Sequence, residues 1–184
     1  MLTAIAGYYD HGKIILNEQP LANVKMDVIV TFLHNKSESY QNLIIGSQVY
    51  KIPKRLKTLA KAINDSRNIC LLEEGWDEDK AKQIAEPLWI ISARFLIEYA
   101  LHLYDNADAL LEIPEINPVP NGTIDLSWRT KNARLLINIR EEKNETLAYY
   151  YGDLYNDRFP VKGYVTTKNV TLHLVQWMKD SLTV

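Results

Sequence analysis

The chain of 184 residues has one cysteine, Cys70. It therefore has no intramolecular disulfide and no cysteine cluster for a metal, which fits a reducing compartment. Seven glycines and seven prolines are too few for a low-complexity chain, and there is no internal repeat. The glycine-bearing turns are single ones, at Gly12, Gly46, Gly75, Gly122, Gly152 and Gly163. Neither a dinucleotide fingerprint nor a P-loop can be assembled from them. The histidines at 11, 34, 102 and 173 are scattered, without the spacing that gathers ligands around zinc. No cofactor and no metal is expected. The longest apolar run, "LWIISARFLIEYALHLY" at 88–104, is broken by Arg94, Glu98 and His102. It is short for a membrane span and reads as a buried helix. The opening "MLTAIAGYYD" lacks the basic and apolar segments of a signal peptide. A cytoplasmic protein is expected, with no membrane partner.

What is present is the composition of a folded protein, 47% hydrophobic and 24% charged. The formal net charge of −2 conceals an asymmetry. Residues 51–67, "KIPKRLKTLAKAINDSR", hold six basic side chains against one acid, and 73–86, "EEGWDEDKAKQIAE", hold six acids against two lysines. A helix beginning at Pro53 would turn Leu56, Leu59, Ala60 and Ile63 inward and Lys54, Lys57 and Lys61 outward, with Arg55 nearby. That basic face is a candidate phosphate-contacting surface. Its plainer reading is a solvated face paired with the acids at 73–79. The slightly acidic chain favours the plainer reading, because non-specific DNA binding relies on a one-sided field.

The class is α+β, with two parts. A small β module occupies 1–34. Strands over 2–9 and 13–16 flank a turn at Asp10-His11-Gly12, and a third at 25–33 turns Met26, Val28, Val30 and Phe32 to one side. Three short strands are barely self-sufficient, which points to docking or a homodimer. Residues 35–50 read as a polar linker. The domain at 51–184 then carries the basic helix, an irregular stretch, and a long helix from Pro87 to near Asp105. Alternating strands follow at 123–128 and 134–139, a third strand is expected at 145–152, and 162–167 has the length of a fourth, shorter one. A closing helix from about Lys168 aligns Val170, Leu174, Trp177 and Met178. Short connections imply an antiparallel meander with helices on its apolar face.

No set of residues declares a reaction. Glu73, Glu74, Asp77, Glu78 and Asp79 are numerous enough for paired-carboxylate chemistry, but acidic runs of this kind usually form a solvated face. "YYYGD" at 149–153 has the tyrosines of an acid or nucleophile, yet alternate tyrosines of a strand divide between core and surface. Cys70, in "NICLLEE", behaves as a small hydrophobe. His102 reads as a core histidine, and His173 as solvent-facing or capping a carbonyl.

Two resemblances add to this. "LTAIAGYYDHGKIILNEQPLANVKMDVIVTFL" resembles small bacterial antitoxin-like β proteins, which implies a dimerising module that binds a protein or DNA. Its charge is not basic, with Lys13 and Lys25 against Asp10, Glu18 and Asp27. "LEEGWD" at 72–77 and "PEINPVPNGTIDLSW" at 114–128 resemble an uncharacterised bacterial family found near toxin–antitoxin and mobile-element genes. In that pattern Trp76 and Trp128 are structural anchors and Gly122 turns the chain. Together the resemblances imply a non-catalytic, antitoxin-like regulatory component whose partner is a protein, possibly a toxin, ahead of DNA. The alternatives are a hydrolase with acids near Trp76 and a structural mobile-element accessory protein.

Overall fold

The computed structural model describes residues 5–10, 12–18, 29–31, 39–156 and 160–183. The chain divides into two compact units, Met1–Ser37 and Glu38–Val184.

In the first unit, β1 (Gly7–Asp10) and β2 (Lys13–Leu16) form an antiparallel hairpin, with Asp10 opposite Lys13. Gly12 takes φ +87°, the turn conformation that glycine adopts without a side-chain penalty. The third strand expected over 25–33 lies largely outside the described residues. Ile29, Val30 and Thr31 are described; they belong to no strand, and Val30, expected on a buried face, is exposed.

The second unit begins with a correction. Most of the expected 35–50 linker is a hairpin, β3 (Tyr40–Ile45) with β4 (Gln48–Pro53). Leu43, Ile45 and Ile52 are almost fully buried in the core, so a segment polar in composition is anchored by a few alternating apolar residues. Pro53 closes β4 and leads through a 3₁₀ turn (Lys54–Leu56) into α1 (Lys57–Ser66). Leu56, Leu59, Ala60 and Ile63 are buried, as their spacing requires. Another 3₁₀ turn (Arg67–Leu71) and an irregular loop follow.

The long helix α2 (Glu86–Ala107) has a proline in its first turn and ends at Asp108 in the left-handed conformation, φ 50°. Buried side chains lie on most sides of it, from Leu88 and Trp89 to Leu103 and Tyr104. It is an interior helix. Trp89 donates its indole N–H to Ser66 Oγ (3.0 Å), tying α2 to the end of α1.

The remainder is a five-stranded antiparallel meander in sequential order: β5 (Glu115–Pro118), β6 (Ile124–Arg129), β7 (Ala133–Glu142), β8 (Glu145–Leu154) and β9 (Val161–Thr166). β5 has no counterpart among the strands expected from alternation, because Pro114, Pro118 and Pro120 interrupt the pattern of that segment. Pro118 is tolerated because β5 is an edge strand. The tight β7–β8 turn places Lys143 and Asn144 both at positive φ, 50° and 69°, the twist that a two-residue hairpin demands.

One face of this sheet is core. Ile124, Leu126, Trp128, Leu135, Ile137, Ile139, Ala148 and Val165 are all buried there. The interior helix α2 and the closing helix α3 (Leu172–Leu182) pack on it. The other face is backed by no helix among the described residues.

Candidate functional site

The period-two alternation that fills the core sends the intervening residues of β7, β8 and β9 to the open face. Register then gathers them. Leu136 lies opposite Tyr151, Tyr151 opposite Lys162, and Tyr149 opposite Tyr164. Leu136, Tyr151 and Tyr164 are exposed by 41%, 41% and 63%, an unusual concentration of large apolar surface on one sheet. The Tyr149 and Tyr164 rings stack at a tilt, 5.4 Å between centroids. With Asn138 and Lys162 they line a shallow cavity of about 570 Å³.

Charge on this face is largely compensated. Arg134 grips Asp153 through two parallel hydrogen bonds, Nε to Oδ1 at 2.9 Å and Nη2 to Oδ2 at 3.0 Å, and lies beside the Tyr151 ring. Those bonds raise the Arg134 guanidinium further above its usual range. Arg140 sits over Tyr149, 3.7 Å from the ring centroid, within 3.7 Å of Glu142, whose carboxylate accepts the Tyr149 hydroxyl at 2.5 Å. The array is a planar aromatic surface with fixed guanidinium groups. Tyrosine and arginine of this kind dominate the energetics of protein interfaces.

"YYYGD" thus divides as its alternation required. Tyr150 points to the core face, where its hydroxyl hydrogen-bonds His173 Nε2 at 2.8 Å. His173 was expected to face solvent or to cap a carbonyl. It does reach solvent, but its ring partner is a phenol on the sheet. His102, expected in the core, is only half-buried.

A second concavity, of about 490 Å³, lies between β4 and α2, bordered by Gln48, Tyr50, Arg94 and Glu98. Burial pushes the Glu98 carboxyl above its usual range, with Arg94 and the Tyr50 hydroxyl pulling the other way. Arg94 Nε is 3.7 Å from Glu98 Oε1 and, although buried, makes no hydrogen bond. Burial, and then the Glu98 charge, raises the Tyr50 phenol, whose hydroxyl donates to Gln48 Oε1 at 2.8 Å. The concavity joins the β3–β4 hairpin to α2, with the Arg94 Nε left without a hydrogen bond.

The sequence candidates fall elsewhere. Lys54, Arg55, Lys57 and Lys61 are exposed, as expected of a basic face. Their expected pairing with the acids at 73–79 does not occur among the described residues. Arg55 instead pairs with Asp108 at 3.0 Å and lies over the Tyr104 ring, and Lys61 pairs with Asp65 one helical turn on. Asp77 uses one carboxylate oxygen to accept the backbone N–H groups of Asp79 and Ala81, both at 3.0 Å. It shapes a loop. Burial pushes the Cys70 thiol up, away from the reactive thiolate.

The anchors separate. Trp128 is buried (2% exposed) and its indole N–H donates to Glu112 O at 2.8 Å. Trp76 is only half-buried; its N–H donates to Lys82 O at 3.1 Å. Lys82 N–H in turn donates to Pro120 O at 2.7 Å, and Gly122 turns the β5–β6 connection at φ +86°. The Gly-Trp-Asp and Pro/Gly segments, far apart in sequence, therefore meet through Lys82.

Among the described residues no three or more His, Cys, Asp or Glu side chains converge as a metal site, and no helix is long and apolar enough to cross a membrane. Compared with protein-family models, curated proteins and solved structures, the chain matches none. The fold and the open face define an α+β protein whose five-stranded meander is helix-backed on one side and aromatic on the other.

Proposed function

We propose that this chain is a non-catalytic binding protein, an antitoxin-like component that works through a protein partner held on the open face of its sheet. One observation carries this reading: Leu136, Tyr149, Tyr151 and Tyr164 converge on a face that no helix covers among the described residues. Aromatic rings presented by a rigid sheet offer large contact area at low entropic cost, the property that makes tyrosine a binding residue. DNA is the weaker partner, because Arg55 and Lys61 on the basic face are already engaged with Asp108 and Asp65.

A photo-crosslinking residue placed at Tyr151 or Tyr164 in the producing cell tests this directly. A discrete protein adduct at both positions, absent when the same residue replaces exposed Lys179 on α3, is the expected result. No adduct, or the same adducts at the control position, overturns the proposal.

A further inference from the structure

Resting on that reading, we infer that the open face selects a protein segment in which a carboxylate neighbours a large apolar or aromatic side chain. Lys162 carries the argument. Among the described residues it is the one charged side chain lining the open-face cavity, and it is exposed. The arginines around it are committed: Arg134 to Asp153 and Arg140 to Glu142. Lys162 forms no ion pair with any described residue. Beside it, Tyr151 and Tyr164 leave room for an apolar group that needs no charged partner. A ligand that complements the cavity brings a negative group to the ammonium and an apolar group to the rings.

Single-stranded nucleic acid also joins negative charge to flat rings, but it requires a groove of uncompensated cations that tracks its backbone. Here Arg134 and Arg140 are already neutralised by Asp153 and Glu142 and offer no such track. Among the described residues Lys162 is the free cation of the cavity, and Arg129, exposed at the end of β6 without an ion pair, lies three strands away. Cations so far apart suit separate carboxylates and not a continuous run of phosphates, so the occupant is a peptide segment.

Selection of a random dodecapeptide display library on the immobilised full-length protein tests this. Wild type is expected to enrich Asp or Glu within one or two positions of Trp, Tyr, Phe or Leu. Lys162→Glu is expected to enrich Lys or Arg in that place. A peptide selected on wild type should lose about tenfold or more in affinity for Lys162→Glu, and less in high salt. Lys162→Gln, which removes the charge without reversing it, should fall between. Both substitutions are on an exposed side chain, and unchanged circular dichroism and unfolding midpoints establish that the fold is retained.

Peptides without an acidic residue, weakened by Tyr164→Ser but not by Lys162→Glu, would overturn the acidic preference and leave the protein-binding face intact. Peptides indifferent to both substitutions, or no enrichment, would defeat the face and the preference together. Tight binding of oligothymidylate, abolished by Lys162→Glu, would assign the face to nucleic acid instead.

Discussion

Gly152 lies beneath Trp177: a β-carbon on Gly152 would come within 2.9 Å of the indole ring and 3.0 Å of Leu135 Cδ1. The absence of a side chain near the C-terminal end of β8 is what lets α3 settle on the sheet. The same device recurs beside it. A β-carbon on Gly163 would meet the Tyr150 hydroxyl at 2.7 Å, the group that binds His173 of α3.

Gly152→Ala should therefore destabilise the second unit by about 1–3 kcal/mol, the usual cost of overfilling a packed interior. In a Trp177→Leu background the same substitution should cost clearly less, because the opposing ring is gone. Urea unfolding of the four proteins of the cycle measures this. Equal costs in both backgrounds would show that the helix does not rest on this contact.

The tryptophans should differ. Trp128→Ala removes a fully buried indole and orphans the Glu112 carbonyl, a loss of about 3–5 kcal/mol. Trp76→Ala removes a half-buried ring and one hydrogen bond on an irregular loop, about 1–2 kcal/mol. The unfolding midpoints of the two variants decide; equal losses would refute the burial difference.

Glu98 makes stability depend on pH. Its folded pKa is raised by burial, so the folded state holds the proton more tightly than the unfolded chain. That contribution is present below the ordinary carboxylate range and is lost as pH rises through the raised folded value. Glu98→Gln should thus equal or exceed wild type in stability at neutral pH, within about 1 kcal/mol, since a partly exposed ion pair is worth little. The two should converge in acid. A variant less stable at neutral pH would show that Arg94 outweighs burial.

Replacing Lys54, Lys57 and Lys61 together with glutamine should change stability slightly, by about 0.3–0.5 kcal/mol for the lost Lys61–Asp65 pair. Wild type should bind duplex DNA weakly at physiological salt. Strong, sequence-selective binding that the triple substitution abolishes, with the log–log salt slope flattened by about 0.9 per lost contact, would return DNA to first place.

The hairpin at 7–16 exposes Tyr8, Tyr9, Ile14, Ile15 and Leu16, and an isolated two-stranded hairpin is marginal in water. Self-association through this module is the expected remedy. Light scattering should give a dimer for the whole chain and a monomer for Glu38–Val184. A monomeric whole chain would rule it out.

Local patterns were sufficient for much of this fold. Pro87 marked the start of α2, and the spacing of Leu56, Leu59 and Ile63 set the inward face of α1, although Pro53, expected to open that helix, instead closes β4 and α1 begins at Lys57. Alternation in 123–128, 134–139 and 145–152 identified β6, β7 and β8, because a side-chain period of two is written into the residues themselves. Fold class and meander were legible for that reason. What the residues could not declare was pairing. Tyr50 read as the end of a linker until β3 and β4 closed beside α2. Arg94 and Glu98 read as interruptions in an apolar run, and Trp76 looked as deeply anchored as Trp128. Above all, Tyr151 and Tyr164 are thirteen positions apart, and no local signal joins them to Leu136 and Lys162. Only strand register brings those four side chains onto one face, and only the packing of both helices on the opposite side leaves that face open.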